Sequence, residues 1–148
     1  MSDVFLSAVG LLKRREHGAF ELTSKLVKKG YGSTLANEAL LKCQRLGLQS
    51  DERFADMFCR TRIAQGYGPI RISKALVALR IDKVLVQSVL QEEQDNWLSY
   101  ASKAWKKKYK NEPAKSFTEL QKQKQFLLYR GFTSDIIHLL FECIQAEN

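Results

Sequence analysis

Apolar residues recur along this chain three and four positions apart, and the stretches that carry them are separated by single glycines. Val4, Ala8, Leu11 and Leu12 lie at helical spacing in a stretch that begins at Ser2-Asp3 and runs to about Glu16. A second helix opens after Gly18 and closes at Lys28-Lys29-Gly30, where cations meet the negative end of the helix dipole and glycine tolerates a positive φ. A third runs from about Ser33 to Leu46 and stops at Gly47. Ser50-Asp51-Glu52 caps a fourth that reaches about Gln65, and Gly66-Tyr67-Gly68 breaks it. Pro69 suits the first turn of the fifth, where its missing N–H costs nothing. Asp82 is the expected cap of a sixth helix ending near Asn96. Three more fit Trp97–Lys110, Ser116–Tyr129 and Thr133–Gln145. The pattern predicts nine helices and no strand, an all-α chain.

The helices repeat. Shifting Ser24–Leu40 by 50 residues places Leu26 on Leu76, Tyr31 on Ile81 and Leu35 on Leu85; a shift of 101 places Leu127, Phe132 and Ile136 on the same three positions. Two positions break the match: Gly30 faces Arg80, and Leu22 faces Ile72 but then the polar Gln123. The period divides the chain into three-helix units at 1–48, 49–98 and 99–148. Units of this size close little core alone and stack on their neighbours, which predicts an elongated, curved array. Such an array offers a long surface for a filament or duplex and no natural site for a deep pocket.

Composition narrows the classes. Of 148 residues, 45% are hydrophobic, enough for a packed core. No apolar run approaches the roughly 18–20 residues that span a bilayer, and the N-terminus has no secretory core, so a cytoplasmic location and no membrane partner are expected. Cys43, Cys59 and Cys143 are odd in number and widely spaced, against a disulfide framework; each falls in an apolar helical pattern and reads as a small hydrophobe. His17 and His138 have no cysteine at ligand spacing, so no metal is expected.

Charge changes the picture most. The 24 lysines and arginines exceed the 16 acids by 8, which favours a polyanion or a protein that carries one. Between Lys103 and Lys124, eight lysines face two glutamates, a net of +6; the other 126 residues carry only +2. Lys103, Lys106, Lys107 and Lys110 form one stripe at i, i+3, i+4, i+7, opposite Trp97, Ala101, Ala104 and Trp105, which read as core. Lys108 lands near the apolar side and must snorkel. A solubilising face explains such a stripe equally well. A second basic group, Arg60, Arg62, Arg71, Lys74 and Arg80, crowds around the Gly66-Tyr67-Gly68-Pro69 turn and tips the balance, because arginine donates in a planar fork to phosphate or carboxylate. Lys13-Arg14-Arg15 needs only the helix dipole as its reason.

No HExxH, Walker A, GxSxG or DxD-type cluster occurs, and the Gly66–Pro69 turn has neither a preceding strand nor a following lysine-serine pair. Asp51/Glu52 and Glu92/Glu93 point to different helix faces. Cys59 lies beside Arg60 and Arg62, which would lower a thiol pKa, but a small residue at a helix contact is the preferred reading. The chain is read as a non-enzyme without a cofactor.

The segment Phe58-Cys59-Arg60-Thr61-Arg62-Ile63-Ala64-Gln65-Gly66-Tyr67-Gly68-Pro69-Ile70-Arg71-Ile72 resembles the signature of the RecX regulatory proteins: an aromatic–x–R–x–R run, a Q-G-x-G-P turn and a basic apolar helix. Arg14-Arg15-Glu16-His17 with Glu21-Leu22 and Lys25-Leu26 resembles that family's first repeat, and Leu127–Phe132 with Ile136-Ile137 its last. Ala75 stands where members often carry an acid, and Leu79-Arg80-Ile81 replaces a lysine-glycine-apolar turn. The resemblance implies three three-helix repeats that bind the filament of RecA recombinase on DNA, lie in its groove and restrain its growth, nucleotide turnover and strand exchange, within DNA repair and recombination. Weaker electrostatic binding to single- or double-stranded DNA is expected beside it, and a non-closing repeat array is expected to be monomeric. The expected contact residues are Arg60, Arg62, Gln65, Tyr67, Arg71, Lys74, Arg80, Lys103, Lys106, Lys107 and Lys110, with Gly66, Gly68 and Pro69 fixing the turn that aims them. The alternative is a helix-turn-helix-like protein that binds duplex directly, although neither a recognition helix nor a dimerising element is identifiable.

Overall fold

The structure is a computed structural model that describes residues 2–147. Among them are nine α-helices and no strand: α1 Asp3–Arg14, α2 Ala19–Lys28, α3 Ser33–Arg45, α4 Asp51–Ala64, α5 Pro69–Ala78, α6 Lys83–Gln91, α7 Trp97–Tyr109, α8 Phe117–Tyr129 and α9 Ser134–Glu147. Helices pack chiefly within successive threes. One boundary departs clearly from the sequence reading. The sixth helix stops at Gln91 rather than near Asn96, and a short 3-10 turn at Gln94–Asn96 leads into α7. Asp82 does hold the N-cap position, but its side chain makes no capping hydrogen bond.

The three-fold repetition is present at the level of single hydrogen bonds. Tyr31, Ile81 and Phe132 each donate their backbone N–H to the carbonyl five residues back, on Leu26, Leu76 and Leu127, while residues 30, 80 and 131 donate to the carbonyl three back. This closing pattern requires a left-handed residue. Gly30, Arg80 and Gly131 supply it with φ of 107°, 60° and 97°. Arg80, the apparent mismatch, therefore adopts the glycine's conformation, at a cost of about 1 kcal/mol. Gln123 resolves the other mismatch. Leu22, Ile72 and Gln123 are all buried, and the Gln123 Oε1 accepts the indole N–H of buried Trp105 at 2.8 Å. A polar side chain is tolerated at that core position because it satisfies a donor that would otherwise be orphaned. The third register shifts by one. Leu35 is exposed and Leu85 and Ile136 are half-buried, whereas Ala36, Val86 and Ile137 are buried. All three stand at the same place in their helices, each donating its backbone N–H in the first helical bond, to residues 32, 82 and 133.

Two separate cores result. Val4, Phe5, Ala8, Leu11, Leu22, Leu26, Ala36, Ala39 and Cys43 form one, within α1–α3. The other runs continuously from Phe54 in α4 to Ile144 in α9 and includes both tryptophans. The accessible surface, 9403 Å², exceeds the about 7,700 Å² expected of a compact 17.0 kDa chain. The chain is elongated.

The joint between α3 and α4 is polar. Gly18 cannot cap α2 with a side chain, so Asp51 does: its Oδ1 accepts from Ala19 N at 2.8 Å. Gln49 Nε2 donates to Asp51 and to the His17 carbonyl. Arg53 pairs with Glu16 at 2.6 Å, and Arg80 lies 4.3 Å above the Phe20 ring. Arg15, read as a dipole partner alone, grips Glu21 through both guanidinium nitrogens.

His17, buried at this joint, stands between the Arg15 carbonyl at Nδ1 and the Lys25 ammonium at Nε2, 3.1 and 2.9 Å away. That arrangement fits a neutral ring donating from Nδ1 and accepting at Nε2. Burial, foremost, and the charges of Arg15 and Lys25 push its pKa down, against the Arg15 carbonyl and Glu21. A histidine whose folded pKa is depressed contributes stability that is complete above the unfolded value, near 6.5, and is lost as pH falls below it. Glu21 also faces the ring. Burial raises its pKa, but the hydrogen bond and charge of Arg15 with the charges of His17 and Lys25 leave it lowered, so its contribution fades only at more acid pH. Urea unfolding at pH 7.5 and 5.5 therefore shows a loss of stability for the natural protein, and a smaller loss for His17→Gln.

Candidate functional site

The second joint is built from turns. After α4, Gly66 takes φ +90°, and Tyr67 N donates back to the Arg62 carbonyl, closing the helix. Pro69 then starts α5 with its φ already set. Between them, Gly68 N donates to the Arg130 carbonyl at 2.8 Å and Ile70 N to the Gly131 carbonyl at 2.9 Å. The turn after α4 is thus bonded backbone to backbone with the turn after α8. A Cβ on Gly68 would stand 2.5 Å from Gly131 C and Phe132 N, and one on Gly131 would stand 2.5 Å from Arg71 Cβ. Both glycines serve this close approach.

The joint divides the basic residues between two grooves that share Gln65. The larger, about 660 Å³, has Arg60, Lys103 and Lys107 along its sides, with Ile63, Tyr100 and Ala104 among its lining. Here the arginine group of α4 meets the lysine stripe of α7. Arg60 pairs with Asp56 at 2.9 Å in an exposed i,i+4 contact, worth little and readily exchanged. Lys103 and Lys107 form no ion pair among the described residues. Glu93 also lines the groove and accepts a hydrogen bond from the Tyr100 hydroxyl; that bond, then burial and the carboxylate charge, push Tyr100 up to about 12.

The smaller groove, about 370 Å³, is lined by Arg62, Gln65, Tyr67, Arg71, Ile72 and Ala75. Arg62 donates to Gln65 Oε1 at 3.0 Å and lies 4.4 Å from the Phe58 ring centroid. The Tyr67 ring has two guanidinium neighbours, Arg71 at 4.6 Å and Arg130 at 5.0 Å. Arg71 also lies 5.3 Å from the Tyr129 ring and donates to the Tyr129 carbonyl; Arg130 donates to the Gln65 carbonyl. Cation–π contacts and carbonyl bonds hold both arginines in place while leaving most of their donors unused.

The remaining expected residues are dispersed. Lys74 is exposed on α5 but lines neither groove, and the same is true of Lys106 on α7. Lys110 lies just beyond α7 in the left-handed conformation, at φ 52°, so the stripe loses its last member to the helix end. Arg80 is a correction: it does not crowd the turn but sits at the other joint, over Phe20, because α5 carries it a helix length away. Lys108 snorkels 5.7 Å from the Phe126 ring centroid.

One cysteine expectation holds and one changes. Cys59 is buried, and its thiol is pushed up to about 12 by burial first, then by Glu93, Asp56 and Glu92; the neighbouring arginines do not activate it. Cys143 is exposed rather than packed. The sequence reading left Tyr100, Tyr129 and Arg130 out of the contact set. The period shows that the 66–68 and 130–132 turns end comparable helices, but nothing in it says which turns touch.

Among the described residues no group of three or more His, Cys, Asp or Glu side chains is placed to hold a metal ion, and no helix is long and apolar enough to cross a membrane.

Comparison with known proteins agrees with this architecture. Residues 50–90 match the family model for the second three-helix domain of RecX, and residues 94–140 the model for its third. A Regulatory protein RecX of Legionella pneumophila (strain Corby) is 49% identical over 146 residues, covering 99% of this chain and 97% of its own length. The Vibrio vulnificus (strain CMCP6) protein of the same name is 35% identical over 131 residues, 88% of this chain and 86% of its own. The crystal structure of RecX from Lactobacillus salivarius has the same fold, with a TM-score of 0.76 over 97% of this chain and 95% of that one, at 20% identity. A chain of stacked helix triples, matched along nearly its whole length by a relative that shares half its residues, belongs to the RecX family of regulatory proteins.

Proposed function

We propose that this chain binds the RecA–DNA filament through the joint between α4–α6 and α7–α9, lies in the filament groove, and restrains filament growth, nucleotide turnover and strand exchange without performing chemistry. The observation that carries this reading is the convergence of Arg60, Gln65, Lys103 and Lys107 on one groove and of Arg62, Gln65, Tyr67 and Arg71 on the next. Seven of the eleven contact residues expected from the sequence thus line two adjoining surfaces of an elongated molecule. Lys74, Lys106 and Lys110 extend the positive field around them. Arg80 is left out of the contact set, since it is engaged at the far joint. Gly66, Gly68 and Pro69 act by setting the distance between α4 and α8. The units of function are taken to be the repeats expected at 1–48, 49–98 and 99–148, with the last boundary moved to the start of α7 at Trp97.

The lysines repel one another along α7 at a cost of a few tenths of a kcal/mol per pair, and an anionic partner reverses that cost. Because phosphate and carboxylate contacts are screened by salt, affinity falls as salt rises. Co-sedimentation with RecA assembled on single-stranded DNA, beside bare single- and double-stranded DNA at equal nucleotide concentration, tests the reading. Recovery with the filament at salt that releases the chain from bare DNA supports it. Recovery with bare duplex alone supports direct duplex binding instead, and recovery with none of them overturns both.

A further inference from the structure

We propose that Tyr129, with Arg62 and Arg71, forms a stacking site for an unpaired nucleobase, so that this edge of the joint takes single-stranded nucleic acid in preference to duplex. The inference rests on the reading that the joint faces the DNA of the filament, and it adds a ligand, a mode of binding and a residue to it.

Tyr129 is the last residue of α8 and is 73% exposed, second only to Phe117 among the exposed large hydrophobic side chains of the described residues. Packing does not explain it, because the core of this unit is closed by Leu127 and Phe132 on either side in sequence, both fully buried. What Tyr129 does touch is Arg71, whose guanidinium lies 5.3 Å from its ring centroid and whose Nη1 donates to its carbonyl at 3.2 Å. The ring is therefore held in place by a cation and remains largely open to solvent.

Its surroundings supply what a nucleotide needs beyond a flat surface. Arg71 spends one N–H on the Tyr129 carbonyl and Arg62 spends one on Gln65, so each keeps a fork of donors for a phosphate. The groove they line, about 370 Å³, connects to Tyr129 through Arg71, which contacts both the Tyr129 ring and the Tyr67 ring in the groove's lining. Aromatic faces beside a positively charged groove are how single strands are bound without sequence preference, since every base has a π-face and only an unpaired one can be laid on a side chain. A base pair inside a duplex offers no such face, and its phosphates alone would engage the arginines. Phe117, similarly exposed, lines a groove with Leu120, Phe141 and Ile144 that includes no arginine among the described residues.

The test uses the full chain and two oligonucleotides of equal length and charge, one of thymidines and one of abasic sugars, with binding measured by fluorescence anisotropy at several salt concentrations. Stacking of one base is expected to give the thymidine strand a 5- to 150-fold advantage, on the order found for single base–aromatic contacts. Tyr129→Ala abolishes most of that advantage while leaving affinity for the abasic strand unchanged, and Tyr129→Phe retains it. Because the side chain is exposed, these variants fold as the natural chain does, and circular dichroism checks this. Equal affinity for the two strands, or an advantage that survives Tyr129→Ala, overturns the proposal. Either result leaves filament binding to be judged by co-sedimentation; conversely, a base-dependent chain that fails to sediment with filaments would sink the functional reading and spare this one.

Discussion

Gly68→Ala is expected to destabilise the protein by about 3–5 kcal/mol, the sum of overpacking against backbone and the loss of two backbone hydrogen bonds. The new methyl group would lie 2.5 Å from Gly131 C and Phe132 N and 2.6 Å from Gly131 O. These are backbone atoms in a turn closed by its own hydrogen bonds, and they cannot swing aside as a side-chain tip can. The two turns must part, and the bonds from Gly68 N to Arg130 O and from Ile70 N to Gly131 O go with them. Backbone strain contributes nothing, because Gly68 has φ −97°, which any residue adopts. A loss of this size is a large share of the stability of an ordinary domain, and the melting temperature falls by roughly 10 °C or more. Gly10→Ala is the control. A Cβ there meets nothing within 4 Å, and the site is inside α1, so alanine gains about 0.5–1 kcal/mol. Calorimetry of the two variants decides the matter: a Gly68→Ala protein that melts within a degree or two of the natural one means the turns are not in contact.

Reversing the charges of the larger groove, as Arg60→Glu, Lys103→Glu and Lys107→Glu together, is expected to abolish filament binding at moderate salt while helicity is retained. All three side chains are exposed, and none is held in the core. Arg60 loses only its exposed pair with Asp56. The same triple change at Lys83, Lys115 and Lys122, none of which lines the Arg60 groove, alters net charge equally and serves as the comparison. If field alone mattered, both variants would weaken binding alike; if the groove is the site, the first loses it and the second falls only modestly. For bare single-stranded DNA, neutralising three phosphate contacts lowers the slope of log affinity against log salt by about 2. An unchanged slope removes these residues from any nucleic-acid contact.

Much of this molecule was legible from its letters. Helices, glycine stops and the period of about 50 residues come from local chemistry: capping serines, dipole-complementing lysines and left-handed glycines act within a few residues of their own position. The two places where the period faltered prove instructive. Arg80 and Gln123 break the pattern of residue types and keep the pattern of conformation and burial, because φ space and the core impose the position whatever side chain occupies it. The one-residue shift from Leu35, Leu85 and Ile136 to Ala36, Val86 and Ile137 has the opposite origin. A stretch with adjacent apolar residues leaves its facing side undecided until a partner helix covers one of them.

The candidate site was legible in its parts only. The turn and the lysine stripe could each be read, but that α7 brings Lys103 and Lys107 beside Arg60 depends on how one helix triple sits on the next. So does the hydrogen bond from Gly68 N to the Arg130 carbonyl, 62 positions away. The polar joint around His17 was missed for the same reason: Arg15 had a local explanation in the helix dipole, whereas Gln49, Asp51 and Arg53 reach the His17 carbonyl, Ala19 N and Glu16 from the next unit. Small rotations between stacked units decide such meetings, and no spacing along one unit encodes them.

The central claim is that the joint between α4–α6 and α7–α9 is the face applied to the filament. A helical reconstruction of RecA on single-stranded DNA with this chain bound reads it directly. The account predicts density that places Arg60, Lys103 and Lys107 against the filament, with the separate groove lined by Asp51, Glu52, Asp56, Asp82 and Glu92, the chain's acidic side, free of it. A chain bound with that joint open to solvent, and held instead through α1–α3 or through its acidic side, would contradict it.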